Sequence, residues 1–201
     1  MNFLQADGWI GGALYGAIGA VVFYLWWSDW RAGRGDAGFP GASGAPLRVL
    51  LVAGLGGVAL TLLETVGESL LGLTAEQTEL AVFAIVPLLA AAVVEEVVFR
   101  GYLVVQNRGR VWLWGSVVAF SFLFAVIHPY LWSWEDGSLS VEFSAKGVFS
   151  TAFVFANSLW FYAVRFSFGN RSHSLLPCFV AHGASNFAVW AVKGFQGFLV
   201  W

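Results

Sequence analysis

Six long apolar stretches, separated by shorter polar connections, dominate the pattern of hydrophobic and polar positions along the chain. A helix of about 20 apolar residues crosses the hydrocarbon core of a bilayer, and most of these stretches approach that length. We therefore predict an all-α, polytopic membrane helix bundle with about six transmembrane helices, forming a single integral membrane domain over residues 1–201. The predicted spans are 9–27, 47–73, 80–105, 115–128, 147–166 and 175–192, followed by an interfacial tail at 194–201.

Positively charged residues are divided unequally between the two sides that six spans define. If the polar loop at 28–46 lies inside, one side collects eight arginines and the other keeps two lysines. Short connections rich in Arg and Lys remain in the cytoplasm, so we predict that loop 28–46 is cytoplasmic and that both termini are outside. The inner set is Arg31, Arg34, Arg48, Arg100, Arg108, Arg110, Arg165 and Arg171, and the outer set is Lys146 and Lys193.

Composition supports a membrane protein and excludes several other classes. Hydrophobic residues make up 59% of the 201-residue chain and charged residues 11%, and the mean hydropathy is +0.75. The net charge of −2 gives no indication of nucleic-acid binding. A single cysteine, Cys178, excludes an intramolecular disulfide and a metal cluster built from cysteines.

Two adjacent glutamates and an arginine lie inside the third apolar stretch. Glu96 and Arg100 are four residues apart, so they share a helical face and can form an ion pair. Glu95 points about 100° away from Glu96. Glu96 can therefore pair with Arg100 while the carboxylate of Glu95 stays available for chemistry. Ionisable residues at this depth are costly and usually functional. The alternative is a buried ion pair that only fixes helix packing.

Two further pairs of residues place a histidine in an apolar segment. Phe124 and His128 are four residues apart, and Pro129 follows directly. His182 and Asn186 have the same spacing, which puts both on one helical face. Together with the glutamates, these residues supply a base, an orienting group and an amide donor, which is the inventory of a hydrolytic site.

The expected start of the fourth span follows from the depth of these residues. Glu95 lies about 15 Å from the inner end of the third span, at about 1.5 Å rise per residue. If the fourth span began at Arg110, His128 would lie about 27 Å deep, whereas a start at Gly115 gives about 20 Å. We therefore predict a start at Gly115, with residues 111–114 in the membrane interface.

Three motifs, in this order along the chain, resemble those of the CAAX prenyl endopeptidase and bacteriocin-processing family, the Abi-type glutamate-dependent intramembrane proteases. The resemblance covers residues 80–192, which we interpret as a motif-bearing protease core, and leaves the first two apolar stretches outside. The motifs are Glu95-Glu96-x-x-x-Arg100-Gly101, Phe124-x-x-x-His128 and His182-x-x-x-Asn186.

The resemblance implies a role for each motif residue. Glu95 would be the general base on the attacking water, and His128 would hold that water and pass a proton to the leaving amine. Glu96 and Arg100 would orient the site, and the last motif would stabilise the oxyanion. The implied catalytic residues are Glu95, Glu96, Arg100, His128, His182 and Asn186, with Phe124 binding substrate and with no metal or cofactor.

Three other interpretations stay open. A zinc protease could use the same Glu and His side chains, although the chain has no His-Glu-x-x-His helix. A thiol enzyme could use Cys178, which lies four residues before His182. A non-catalytic membrane scaffold or immunity protein could retain the motifs without the activity.

The expected partners are the lipid bilayer and a membrane-anchored protein or peptide substrate, with no nucleic acid. Cleavage is expected near the anchored C-terminal part of that substrate. The small, loop-poor architecture is typical of prokaryotic proteins, so we expect a multi-pass protein of the cell membrane, the inner membrane of a prokaryote.

Overall fold

The computed structural model describes residues 8–135 and 137–201, so the first seven residues of the predicted domain lie outside the described part. Six long helical segments, joined by short connections, make up most of this part. They are α1 (Trp9–Arg31), α2 (Leu47–Leu70), α3 (Ile85–Glu95) with its continuation as a π-helix (Glu96–Leu103), α4 (Arg110–Ile127), α5 (Ala145–Phe166) and α6 (Leu176–Gln196).

Five segments in the described part of the chain are long and apolar enough to cross a membrane: α1, α2, Val82–Leu103, α4 and α5. A helix satisfies its backbone hydrogen bonds internally, which is why apolar stretches of this length fold as helices in hydrocarbon. The sixth segment, α6, has 21 residues and buries polar side chains such as His182 and Ser185 against its neighbours. The prediction of an all-α membrane helix bundle is confirmed.

The third apolar stretch does not form one uniform α-helix. Strand β1 (Leu80–Ala81) and a 3-10 turn (Val82–Ala84) precede α3. After Glu95 the backbone adopts the π-helical form, and this π segment ends at Leu103, two residues before the predicted boundary. π-Helices close i→i+5 hydrogen bonds, are rare, and often occur at functional sites.

Helix α4 begins at Arg110, five residues before the predicted start of the fourth span at Gly115. The location of residues 111–114 in the membrane interface stays a prediction. Gly109 precedes the helix with a φ of +90°, and its carbonyl accepts a 3.0 Å hydrogen bond from the backbone N–H of Leu113. Residues 111–114 therefore belong to the first turn of α4, in which the first N–H groups have no intrahelical acceptor. The depth calculation assumed that helices start at one level and stand upright, and a tilted or protruding helix breaks that assumption.

The loop expected at 28–46 is shorter because α1 continues to Arg31. The carboxylate of Asp29 accepts hydrogen bonds from Nη1 of Arg34 (2.8 Å) and from the backbone N–H of Phe39 (2.7 Å). These bonds hold the rest of the loop against the end of α1.

Two small sheets lie at the ends of the helices. In the α4–α5 connection, β2 (Trp132–Glu135) pairs antiparallel with β3 (Ser138–Val141). Helix α6 continues to Gln196, beyond the predicted end at 192, and β4 (Leu199–Val200) then pairs parallel with β1. The predicted interfacial tail is thus attached to the start of the third segment.

Helix α6 lies at the centre of the bundle and packs against α2, α3 and α5, while α1 packs on α3. Glycines mark the closest approaches. A Cβ added to Gly57 of α2 would lie 2.4 Å from the carbonyl oxygen of Ala181 in α6, and one added to Gly19 of α1 would lie 2.5 Å from the Cβ of Ala90 in α3. Small residues allow helix backbones to pack this closely in membranes.

The connections alternate between two ends of the bundle. At one end, the backbone N–H of Leu175 donates to the carbonyl of Gly41 (3.0 Å), and Gly101 of the π segment packs against Pro40. At the other end, Lys146 in the first turn of α5 pairs with Glu68 in the last turn of α2. The first end carries the predicted cytoplasmic loop, and we call it the arginine-rich end.

Candidate active site

The π segment begins at Glu96 and gives the two adjacent glutamates different environments. The side chain of Glu96 is 0% exposed, whereas that of Glu95, the last residue of α3, is 27% exposed. Oε1 of Glu96 lies 3.1 Å from Nη1 of Arg100. The ion pair expected from the four-residue spacing is therefore present, and Glu95 is the more accessible carboxylate.

Arg100 is held by side chains from three helices. Its side chain is fully buried, and its Nη2 donates a 2.6 Å hydrogen bond to Oγ of Ser158 in α5. The guanidinium carbon lies 4.4 Å from the ring centroid of Phe124 and 4.9 Å from that of Tyr162. Cation–π contacts contribute about 0.5–2 kcal/mol each, more when desolvated, and so offset part of the cost of burying this charge.

His182 connects α6 to both glutamates. Its Nδ1 lies 2.8 Å from Oε1 of Glu96, and its Nε2 lies 4.0 Å from Oε2 of Glu95. A carboxylate accepts hydrogen bonds, so Nδ1 of the imidazole carries a proton. The ring also stacks on Phe161, with the centroids 4.8 Å apart. These contacts fix the ring so that Nε2 is directed toward Glu95.

His128 follows the last residue of α4, and its Nδ1 lies 2.6 Å from the backbone oxygen of Phe124. A carbonyl accepts, so Nδ1 is the donor and Nε2 is left for other partners. The imidazole lies within electrostatic range of Glu95 and His182. The histidine of the second motif therefore lies at the same site as the residues of the first and third motifs.

Phe124 forms the aromatic centre of this site. It is 2% exposed, and its ring lies 4.7 Å from the ring of His128 and 6.1 Å from that of His182. Its contacts are thus with the side chains of the site itself. Substrate binding by Phe124 stays a prediction.

Asn186 lies one turn after His182 and is half-buried. Its Nδ2 donates a 2.8 Å hydrogen bond to the backbone oxygen of Leu88 in α3. The two residues of the last motif therefore contact different groups of the third segment. An amide nitrogen carries two N–H donors, so Asn186 keeps one for a further acceptor. The oxyanion pair stays a prediction.

Several residues around the site were not predicted from the sequence. Ser158 and Tyr162 belong to α5, and the hydroxyl of Tyr162 donates a 2.8 Å hydrogen bond to the carbonyl of Phe99. The sequence signal that could have identified them is a polar residue, Ser158, within an apolar helix, followed four residues later by a tyrosine. Tyr15 of α1 lies within electrostatic range of Glu95, and no spacing rule connects these two residues.

The structure also bears on the thiol and zinc alternatives. Cys178 is fully buried, and its Sγ lies 3.3 Å from the carbonyl oxygen of Phe161. A thiol enzyme would need this side chain to reach the substrate. Within residues 8–135 and 137–201, no group of three or more His, Cys, Asp or Glu residues is arranged to hold a metal ion.

The fold and the site together define a multi-pass membrane protein with a buried polar centre, which combines two carboxylates, a guanidinium and two imidazoles. The sequence model of the type II CAAX prenyl endopeptidase Rce1-like family matches residues 77–188, more than half of the chain. The chain belongs to this family, and the resemblance found in the motifs is confirmed. In general, therefore, the protein is a CAAX-type intramembrane protease. Neither the comparison with curated proteins nor that with solved structures finds a match.

Proposed function

We propose that the protein is a glutamate-dependent intramembrane endopeptidase. It hydrolyses a peptide bond near the membrane-anchored C-terminal part of a protein or peptide precursor, in the cell membrane of a prokaryote. The observation that carries this proposal is the contrast between the two glutamates, because Glu96 is fully buried and paired while Glu95 is partly exposed. Family membership supports the general reaction.

Glu95 acts as the general base. Its Oε2 has no hydrogen-bond partner among the described residues and lies 4.0 Å from Nε2 of His182, beyond direct hydrogen-bond distance. A water molecule in contact with Glu95 would transfer a proton to the carboxylate while its oxygen adds to the carbonyl carbon of the substrate. General bases of this kind contribute about 10²–10⁴-fold to the rate.

The histidines and Asn186 act on the tetrahedral intermediate. His182 contributes to the oxyanion site through Nε2, a role that requires a proton on Nε2 in addition to the one on Nδ1. Asn186 donates through the N–H that Leu88 does not use. When the intermediate collapses, the C–N bond breaks, and the proton that Glu95 took from the water passes through Nε2 of His128 to the leaving amine.

Glu96 and Arg100 are positioning residues. Glu96 accepts a hydrogen bond from Nδ1 of His182 and forms an ion pair with Arg100. Arg100 in turn donates a hydrogen bond to Ser158 of α5. One carboxylate thereby connects the π segment to two other helices. Preorganised donors are effective because no reorganisation is needed when charge develops on the substrate.

Matched glutamine substitutions test this division of roles. Glu95→Gln should preserve expression and the melting temperature, while turnover of a co-expressed anchored precursor falls by about 10²–10⁴-fold. Glu96→Gln should lower the melting temperature as well, because it leaves the buried Arg100 without its full counter-charge. Mass spectrometry of the released C-terminal fragment measures turnover, and thermal denaturation measures stability.

Wild-type turnover in a folded Glu95→Gln protein would contradict the assignment of the base. If both variants fail to accumulate, the division into a catalytic and a positioning carboxylate is wrong.

A further inference from the structure

The turn between α5 and α6 borders an open recess of about 350 Å³ at the arginine-rich end. Arg171 and His173 line it. Arg48, in the first turn of α2, reaches the same place, since a Cβ on Gly169 would lie 2.8 Å from its Nη2. Side chains that carry or accept positive charge therefore converge on this recess from α2 and from the turn.

A buried guanidinium lies directly behind the wall of the recess. Arg165 is 2% exposed, its Nε donates a 3.1 Å hydrogen bond to the carbonyl of His173, and its guanidinium carbon lies 4.9 Å from the ring of Phe166. Both Phe166 and His173 line the recess. Nη1 of Arg165 is buried and has no hydrogen-bond partner among the described residues. Arg165 forms no ion pair with a described carboxylate, although Glu96 lies within electrostatic range. A further anion nearby would lower the cost of burying this cation.

The backbone of the turn is strained. Phe168 and His173 have φ values of 54° and 50°, which bulky L residues rarely adopt. The side chain of Asn170 holds the turn closed, because its Nδ2 donates to the carbonyls of Val164, Arg165 and Ser174 (3.2, 2.9 and 2.9 Å). Strain of this kind persists where surrounding contacts enforce it, and it clusters at ligand sites.

We propose that this recess binds the phosphate group of an anionic lipid. Arg48 and Arg171 provide guanidinium groups, which match phosphate in geometry and charge. No described carboxylate forms an ion pair with either of them or with Arg165.

The position of the recess favours a lipid over a soluble anion. It lies where α5 ends and α6 begins, and a helix that crosses a bilayer ends near the level of the headgroups. Phe168 is 49% exposed beside it and packs on Trp160, with the ring centroids 5.4 Å apart. This aromatic surface can contact the acyl chain of a lipid whose phosphate occupies the recess.

The test is a titration of the purified full-length protein in detergent with phosphatidylglycerol, followed by native mass spectrometry. Wild-type protein should form a one-to-one complex with phosphatidylglycerol and none with phosphatidylcholine at the same concentration. Arg171→Gln should weaken this complex about tenfold, the usual effect of losing one charge-assisted hydrogen bond. Arg108→Gln is the matched control, because Arg108 is exposed in another connection and does not line the recess, and it should change the affinity less than twofold.

Equal affinity of wild-type and Arg171→Gln proteins for phosphatidylglycerol, with unchanged melting temperatures in detergent, would overturn the proposal. Binding of phosphatidylcholine as tightly as phosphatidylglycerol would do the same. Inorganic phosphate is the third arm, and displacement of the lipid at comparable phosphate concentrations would assign the recess to a soluble anion instead.

Discussion

At the scale of single residues, the contact between Glu96 and His182 decides how the site is organised. It joins residues 86 positions apart at 2.8 Å and fixes which nitrogen of the imidazole carries a proton. The four-residue spacing predicted the pair between Glu96 and Arg100 correctly, because helical geometry alone brings those side chains together. Spacing carries no information about the rotation of α6, so the link to His182 was not predicted.

Removal of Asn186 tests the oxyanion site. Asn186→Ala should lower kcat by about 10²–10³-fold and leave KM within a fewfold, since an oxyanion donor acts mainly on the transition state. His182→Ala should lower kcat further, because it also removes the partner of Glu96. The double variant should lose much less than the product of the two effects, because residues that act on one oxygen are not additive.

Circular dichroism of all three variants is the control for folding. Normal turnover in a well-folded Asn186→Ala protein would remove this residue from the site, and its bond to the carbonyl of Leu88 would then be purely structural.

At the scale of elements, the change from α-helix to π-helix at Glu96 divides the third segment into two parts with different backbone geometry. The π segment carries Glu96 and Arg100, and its Gly101 lies against Pro40 of the loop between α1 and α2. A side chain at Gly101 would meet Pro40, with 2.7 Å between the added Cβ and the ring. The glycine of the first motif therefore allows the loop to pack directly on the helix that holds the site.

A partly buried ion pair joins the C-terminal end of α2 to the N-terminal end of α5. Glu68 binds both Lys146 and Gln77, and its side chain is 5% exposed. Lys146→Met should lower the free energy of unfolding by about 2 kcal/mol, because it leaves a buried carboxylate with one neutral partner. Adding Glu68→Gln should recover at least half of that loss, since Gln77 can still bond to the amide.

A double-mutant cycle in detergent, followed by thermal denaturation, measures the coupling between these two residues. Glu142→Gln is the matched control, as Glu142 is exposed in the same α4–α5 connection and forms no ion pair among the described residues. Independent, additive effects of Glu68→Gln and Lys146→Met would mean that this pair contributes nothing to joining the two helices.

At the scale of the whole molecule, the bundle has two chemically different ends. Two of the eight arginines predicted to face the cytoplasm, Arg100 and Arg165, are 0% and 2% exposed, so they do not contribute as surface charges. Six exposed arginines remain at that end, against two partly buried lysines at the other. This difference still favours the predicted orientation.

Reporter fusions test the orientation. A reporter inserted after Gly41 should be cytoplasmic. Gly41 accepts a hydrogen bond from Leu175 and so lies at the arginine-rich end, which is predicted to face the cytoplasm. One inserted after Ser138, in the hairpin between α4 and α5, should be external. The reverse pattern would contradict the orientation, and the same side for both would contradict the alternation of the spans.

The sequence alone determined the class of the protein and the identity of its motifs. A long apolar stretch satisfies its backbone hydrogen bonds in lipid by folding as a helix. The membrane helix bundle therefore followed directly from hydropathy. Costly polar residues inside those stretches, such as Glu95 and His182, identified the candidate site before any contact was known. Spacing within one helix also predicted the Glu96–Arg100 pair.

Only the tertiary structure decided what each motif residue contacts. Packing of α5 and α6 placed Ser158 on Arg100 and His182 on Glu96, and it directed Asn186 to the carbonyl of Leu88. The π segment and the start of α4 at Arg110 also depended on packing, since neither changes the apolar pattern along the chain. The physical reason is that hydrophobicity specifies which segments are buried in the membrane, whereas helix rotation, tilt and local winding are set by side chains that come from distant parts of the chain.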